Sequence, residues 1–163
     1  MSTKIKDIQR IKSTWIWIIA IVLNFFTVYG LITQIGLKIP FGSNPAPNLL
    51  LIGFFISTLL LLIFLLIIRL KILFTEESVI IEFYPFYKKV ILLTEIKQME
   101  IVTYNPIKDY GGWGIRYGKK GRAITLSGNL GLSLTLMNNE NILIGITNKQ
   151  KFKSLNLPNH ENI

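Results

Sequence analysis

The chain has no cysteine and one histidine, His160, near its C-terminal end. Without cysteine there are no disulfides, thiolate zinc sites, thioether-linked haem or thiol chemistry. A lone histidine gives no basis for imidazole acid/base work or metal binding. Acidic residues are also few, 9 against 18 Lys and Arg. Glu76 and Glu77 fall in a turn, and Glu95 and Glu100 stand apart, so no carboxylate pair is placed for general acid and base. Ser127 and Ser133 have no histidine to activate them. The expectation is a non-catalytic protein with no cofactor and no metal.

Charge is missing altogether from two long stretches. Leu49 to Ile68 reads LLLIGFFISTLLLLIFLLII and is closed by Arg69 and Lys71. At 1.5 Å per residue, about 20 residues of helix span the roughly 30 Å hydrocarbon core of a bilayer. A small soluble domain has no use for a helix apolar on every side, so residues 49–68 are expected to be a transmembrane helix. Residues 15–36 form a second uncharged stretch, less pure because of Asn24, Thr27, Thr33 and Gln34. A cleaved signal peptide shares its basic start, but this run exceeds a usual h-region and no clear small-x-small cleavage site follows it. An uncleaved helix is the better reading.

Residues 37–48 are rich in Pro, Gly and Asn, as a turn between antiparallel helices should be. Lys4, Lys6, Arg10 and Lys12 precede the first span, Arg69 and Lys71 follow the second, and only Lys38 lies between them. The positive-inside rule then makes residues 1–14 a cytoplasmic segment and 37–48 an external loop. It predicts a multi-pass protein of the cell (inner or plasma) membrane with both termini cytoplasmic. Trp15 and Trp17 suit the cytoplasmic interface. Mid-span Asn24 is expected to hydrogen-bond to the neighbouring helix, and the Gly53 and Ser57 spacing permits close helix approach. The net charge of +9, beside two spans, points to anionic lipid and not to nucleic acid.

From Ile72 the hydrophobic period changes to two. Val79, Ile81 and Phe83 alternate with their neighbours, as do Met99 and Ile101, Ile124 and Leu126, Leu132, Leu134 and Leu136, and Ile142, Ile144 and Ile146. Lys89 to Leu92 adds a short run. Turn signals at Tyr110-Gly111-Gly112, Gly118 to Gly121, Gly128-Asn129 and Asn138 to Asn141 divide them. This pattern predicts about seven antiparallel strands over residues 72–158, in a small barrel or sandwich. A C-terminal helix from Asn148 to Leu155, capped by Thr147, closes one end. Residues 159–163 are a tail.

Gly111 to Arg122 (GGWGIRYGKKGR) is the densest cluster of unusual residues. It is no phosphate loop: Trp113 stands where the first glycine belongs, and Lys120 stands where Ser or Thr must follow the lysine. It is no dinucleotide fingerprint either, because Tyr117 replaces the third glycine. Gly112 and Gly114 instead suit a bulge at a strand start, with Trp113 as a core or rim aromatic. Arg116, Lys119, Lys120 and Arg122 gather on one predicted hairpin and, with Trp113, are the expected contact residues for lipid headgroups or a partner. Lys88 and Lys89 form a second basic pair in a predicted turn.

Two spans followed by these strands resemble the small bacterial membrane proteins that carry a PH-like (bacterial PH) domain. The likeness lies in Tyr110 to Arg116 (YGGWGIR), Gly128 to Leu134 (GNLGLSL) and Ile142 to Gly145 (ILIG). It implies a split, bent antiparallel sheet capped by a C-terminal helix. Phosphoinositide-binding PH domains use a basic loop between their first two strands; the corresponding turn here, Thr75 to Ser78, is acidic. The expectation is therefore an α + β membrane protein in which a helical hairpin anchors a PH-like interaction module at the cytoplasmic face. The module binds a protein partner or a second copy. The alternatives are anionic-lipid recognition through residues 116–122 and a subunit role in an oligomeric membrane complex.

Overall fold

The computed structural model describes residues 3–118 and 120–153. The chain divides into two compact units, Lys12–Ile67 and the segments that flank it on both sides.

The uncharged stretches form the first unit. Helix α1 spans Thr14–Leu31 and continues as a π-helical turn, Ile32–Gly36; helix α2 spans Asn48–Ile67. Both are long and apolar enough to cross a membrane. Small and polar residues form the seam between them: Ala20, Thr27 and Gly30 on α1, and Thr58 on α2, are buried, whereas Phe25 and Leu60 are exposed. A Cβ on Gly30 would come within 3.2 Å of the Phe41 ring, so the absent side chain admits the loop. Gln34 Nε2 ties the loop to α2, donating to Ala46 O at 2.7 Å and Asn48 Oδ1 at 2.8 Å.

Two expectations about this unit change. The polar contact between helices is made by the Thr27 and Thr58 hydroxyls, 3.3 Å apart, while Asn24 Nδ2 is buried without a partner. Close approach occurs at Gly30 and not at Gly53, where an added Cβ would meet nothing within 4 Å.

Among the described residues, the second unit has nine strands in two sheets. The first sheet contains β1 (Thr3–Gln9), β2 (Arg69–Thr75), β3 (Ser78–Tyr84) and β4 (Tyr87–Leu92), antiparallel in that order. The second is built from β5 (Ile96–Thr103), β6 (Gly114–Gly118), β7 (Gly121–Thr125), β8 (Leu130–Leu136) and β9 (Asn141–Gly145), in the order β5-β8-β9-β7-β6. It is mixed and not purely antiparallel. The Asn138-Asn139 turn folds β9 back beside β8, and β9 fills the slot next to β7, which it meets in parallel. The alternating apolar residues provide the core: Leu70, Ile72, Phe74, Val79, Ile81, Phe83 and Ile91 from the first sheet, Ile124, Leu132, Leu134, Ile142 and Ile144 from the second. Each such side chain removed from water contributes about 1.5–3 kcal/mol.

The N-terminal segment, read from sequence as lying outside the domain, supplies β1. Its inward residues are polar, and Asp7 and Gln9 are each 1% exposed. Asp7 accepts hydrogen bonds from Thr147 N at 2.8 Å and from Thr147 Oγ1, with Lys151 Nζ at 3.7 Å. A buried carboxylate is tolerated only with such donors. Thr147 is thus engaged with Asp7, and Asn148 caps the final helix α4 (Lys149–Lys153), its Oδ1 accepting from Gln150 N at 2.8 Å. Phe152 on α4 closes the core edge-on against Phe74, centroids 5.7 Å apart.

A short helix, α3 (Pro106–Tyr110), interrupts what was read as a turn. Asn105 Oδ1 accepts from Ile107 N and Lys108 N at 3.1 and 3.0 Å, Pro106 opens the first turn, and Gly111 ends it in the left-handed region. An N-cap Asn, a first-turn Pro and a terminal Gly are a standard helix signature.

Candidate functional site

The hairpin β6–β7 carries the basic cluster, but its register disperses the charges. Arg116 pairs with Ala123 and Tyr117 with Arg122. Residues directly opposite share a face and successive residues alternate, so Arg116 and Arg122 lie on opposite faces. Arg116 Nε donates to Trp113 O at 3.3 Å. Trp113 sits at the rim, 45% exposed, with Nε1 donating to Gly128 O at 2.8 Å. Lys120 belongs to the hairpin turn, and Lys119 lies outside the described residues.

Arg122 turns inward, in step with Ile124. Its Nη1 donates to Tyr87 Oη at 2.8 Å and its Nη2 to Tyr117 Oη. The guanidinium carbon stands 4.8 Å from the Tyr117 ring centre and 5.7 Å from that of Tyr87. Tyr87 belongs to β4, so this stacked, hydrogen-bonded cation joins the two sheets. Lys89, paired with Glu140 at 3.4 Å, makes a second link. Lys88 and Lys89 are both in β4 and not in a turn.

Beside the hairpin, a concavity of about 560 Å³ opens on the outer face of the second sheet. Tyr104, Asp109, Tyr110, Lys120, Ser133 and Thr135 contribute to its lining. Helix α3 approaches the sheet at Gly118, where a Cβ would lie 2.5 Å from Asp109 O. The two tyrosine rings meet edge-on, 6.2 Å between centroids. Burial pushes both phenols above their ordinary range, and Asp109 adds to this for Tyr110. They stay protonated at neutral pH, so each can donate or accept a hydrogen bond there. Among the described residues no three His, Cys, Asp or Glu side chains converge.

Sequence reasoning passed over Tyr87 and the outer face of the first sheet. On that face, register aligns Leu73, Ile80 and Val90 across β2, β3 and β4. Val90 and, nearby, Leu92 are 52% and 48% exposed. The Val79–Phe83 alternation could have flagged this row, since Ile80 lies on the face opposite the core.

No protein-family model matches the chain, and no curated protein sequence and no solved structure matches it at a significant level.

Proposed function

We propose that the chain is a non-catalytic interaction module anchored in the cell membrane by α1 and α2, with both flanks of the helical pair on the cytoplasmic side. The observation that carries this reading is the pairing of β1 with β2, from Ile5 opposite Phe74 to Gln9 opposite Leu70. One strand precedes α1 and the other follows α2. Two segments in one sheet must share a side of any membrane, so the helices cross it as a hairpin. The basic residues of both flanks then give the cytoplasmic orientation. The PH-like reading of the β unit is supported by the C-terminal helix, whose Phe152 seals the core against Phe74.

The module's surface for a protein partner or a second copy is the outer face of the first sheet. An antiparallel sheet with one solvated face is normally polar outside. The row Leu73, Ile80 and Val90, with Leu92 beside it, is apolar, as a docking surface would be. Lipid recognition by the basic hairpin is less well supported, because Arg122 is engaged by two tyrosines and Arg116 faces away from it.

Reporter fusions after Ser43 and after Ile163 test the topology; signals from the same side would end the anchored reading. A photo-crosslinker at Val90 in the full chain tests the surface. Adducts with a protein or a second copy are expected there and not at Glu76, and monomer alone would refute the module.

A further inference from the structure

We propose that the turn between β3 and β4, Tyr84-Pro85-Phe86-Tyr87, seats in the interfacial zone of the bilayer as an aromatic foot for the β unit. This rests on the membrane reading of α1 and α2 and goes beyond it, by assigning a second, non-helical membrane contact to this chain.

The turn's composition is the first observation. Tight hairpin connections normally take Asn, Asp or Gly; this one is a proline among aromatics. Phe86 is 62% exposed and Tyr84 41% exposed. Phe86 leans on Phe83, centroids 6.5 Å apart. Aromatic side chains concentrate at the membrane–water boundary, where one part of the ring is dry and the other wet.

The second observation is where the turn stands in the sheet. Arg69 opens β2 and pairs with Tyr84, so the turn is at the end of the sheet where β2 begins. Arg69 is two residues beyond Ile67, the last residue of α2. Two residues extend at most about 7 Å, so this end of the sheet is tethered close to where the second span finishes. Gln9, opposite Leu70, brings the other strand's exit to the same end.

Charge is the third observation. Arg10, Arg69 and Lys88 are exposed around this end, with the Arg69 guanidinium carbon 5.2 Å from the Tyr84 ring centre. The opposite end of the sheet carries Glu76, Glu77 and Glu95, all exposed. The sheet is therefore basic and aromatic at the tethered end and acidic at the other. That polarity matches an anionic headgroup layer on one side and water on the other.

The absence of cysteine makes the test direct. Single-cysteine full-length chains, Phe86→Cys, Glu76→Cys and Leu60→Cys, are labelled with an environment-sensitive fluorophore. They are reconstituted in phosphatidylcholine/phosphatidylglycerol vesicles carrying either a headgroup-level or a deep acyl-chain nitroxide quencher. The label at position 60 should be quenched by the deep probe. The label at position 86 should be quenched at least threefold more by the shallow probe than the label at position 76. Pro85→Cys repeats the measurement with Phe86 in place. If position 60 is quenched while positions 85 and 86 behave like position 76, the foot is refuted and the anchored reading stands. If position 60 is not quenched, the anchored reading fails and the foot falls with it.

Discussion

The pairing of β1 with β2 makes a definite prediction about what can be cut from the chain. A fragment starting at Ile72 follows the hydrophobic pattern yet should not fold, because it lacks β1 and the start of β2. Leu70, wholly buried, would be lost at a cost of about 1.5–3 kcal/mol. The charged hydrogen bonds from Thr147 to Asp7 would go as well, about 1.5–3 kcal/mol each. The flank of Ile72 and Phe74 would also lose its β1 cover. The sum is comparable with the whole stability of a small domain, about 5–15 kcal/mol. Removing Lys12–Ile67 instead should preserve the fold. The register Gln9 opposite Leu70, continued outward, brings Ile11 opposite Ile68, where an Asn-Gly pair can close a hairpin. In aqueous buffer the rejoined chain should melt cooperatively by circular dichroism, and the fragment from Ile72 to Pro158 should show no transition. Equal midpoints for the two would refute the reasoning, since β1 would then be an accessory to the sheet and not part of it.

Arg122→Ala in the rejoined domain should cost about 1–2 kcal/mol through the lost stacking and hydrogen bonds, lowering Tm by about 5–15 °C; Arg122→Lys, which keeps the charge but not the fork, should recover less than half. Gly121 has φ of +105° and a Cβ there would lie 2.3 Å from Asn141 O, whereas Gly128, at +75°, opens onto space. Gly121→Ala should therefore destabilise by about 2–3 kcal/mol and Gly128→Ala by about 1 kcal/mol, and denaturant titrations giving equal losses would count against the steric account. Burial raises Tyr104 and Tyr110 above 10, so the unfolded chain releases these protons first. Their contribution is complete below about pH 10 and declines as pH rises from there towards the folded-state values; Tm should fall over that range, and Tyr104→Phe together with Tyr110→Phe should flatten the fall.

The helices and most of the strands were legible because each announces itself locally. Leu49 to Ile68 has no charge, and Leu132, Leu134 and Leu136 alternate within a few residues. Helix α3 was legible in principle through Asn105, Pro106 and Gly111, but five helical residues are too few to set up an apolar period. The hairpin β6–β7 was found from its glycines and basic residues. What those residues do was not, because the partner that fixes Arg122 is Tyr87, on another sheet. Which way Arg116 and Arg122 face was hidden for a simpler reason: facing depends on register, and a one-residue offset moves a side chain to the opposite face.

β1 was hidden by its own chemistry. Its inward positions are Asp7 and Gln9, and its exposed positions include Ile8, which inverts the pattern that marks a strand. Inward-pointing charge is one way that an edge strand avoids pairing with other chains, and Asp7 is further committed to Thr147. The same inversion hides the role of the helical pair. Read from sequence, α1 and α2 are an anchor placed before a domain. With β1 in the sheet they occupy the connection between two adjacent strands, and the unit is closed on both sides of them. Strands β1 and β2 both leave the sheet towards the helical pair at one end, the end that bears Tyr84 and Phe86. The apolar row of Leu73, Ile80 and Val90 lies on a face of that sheet and not at this end.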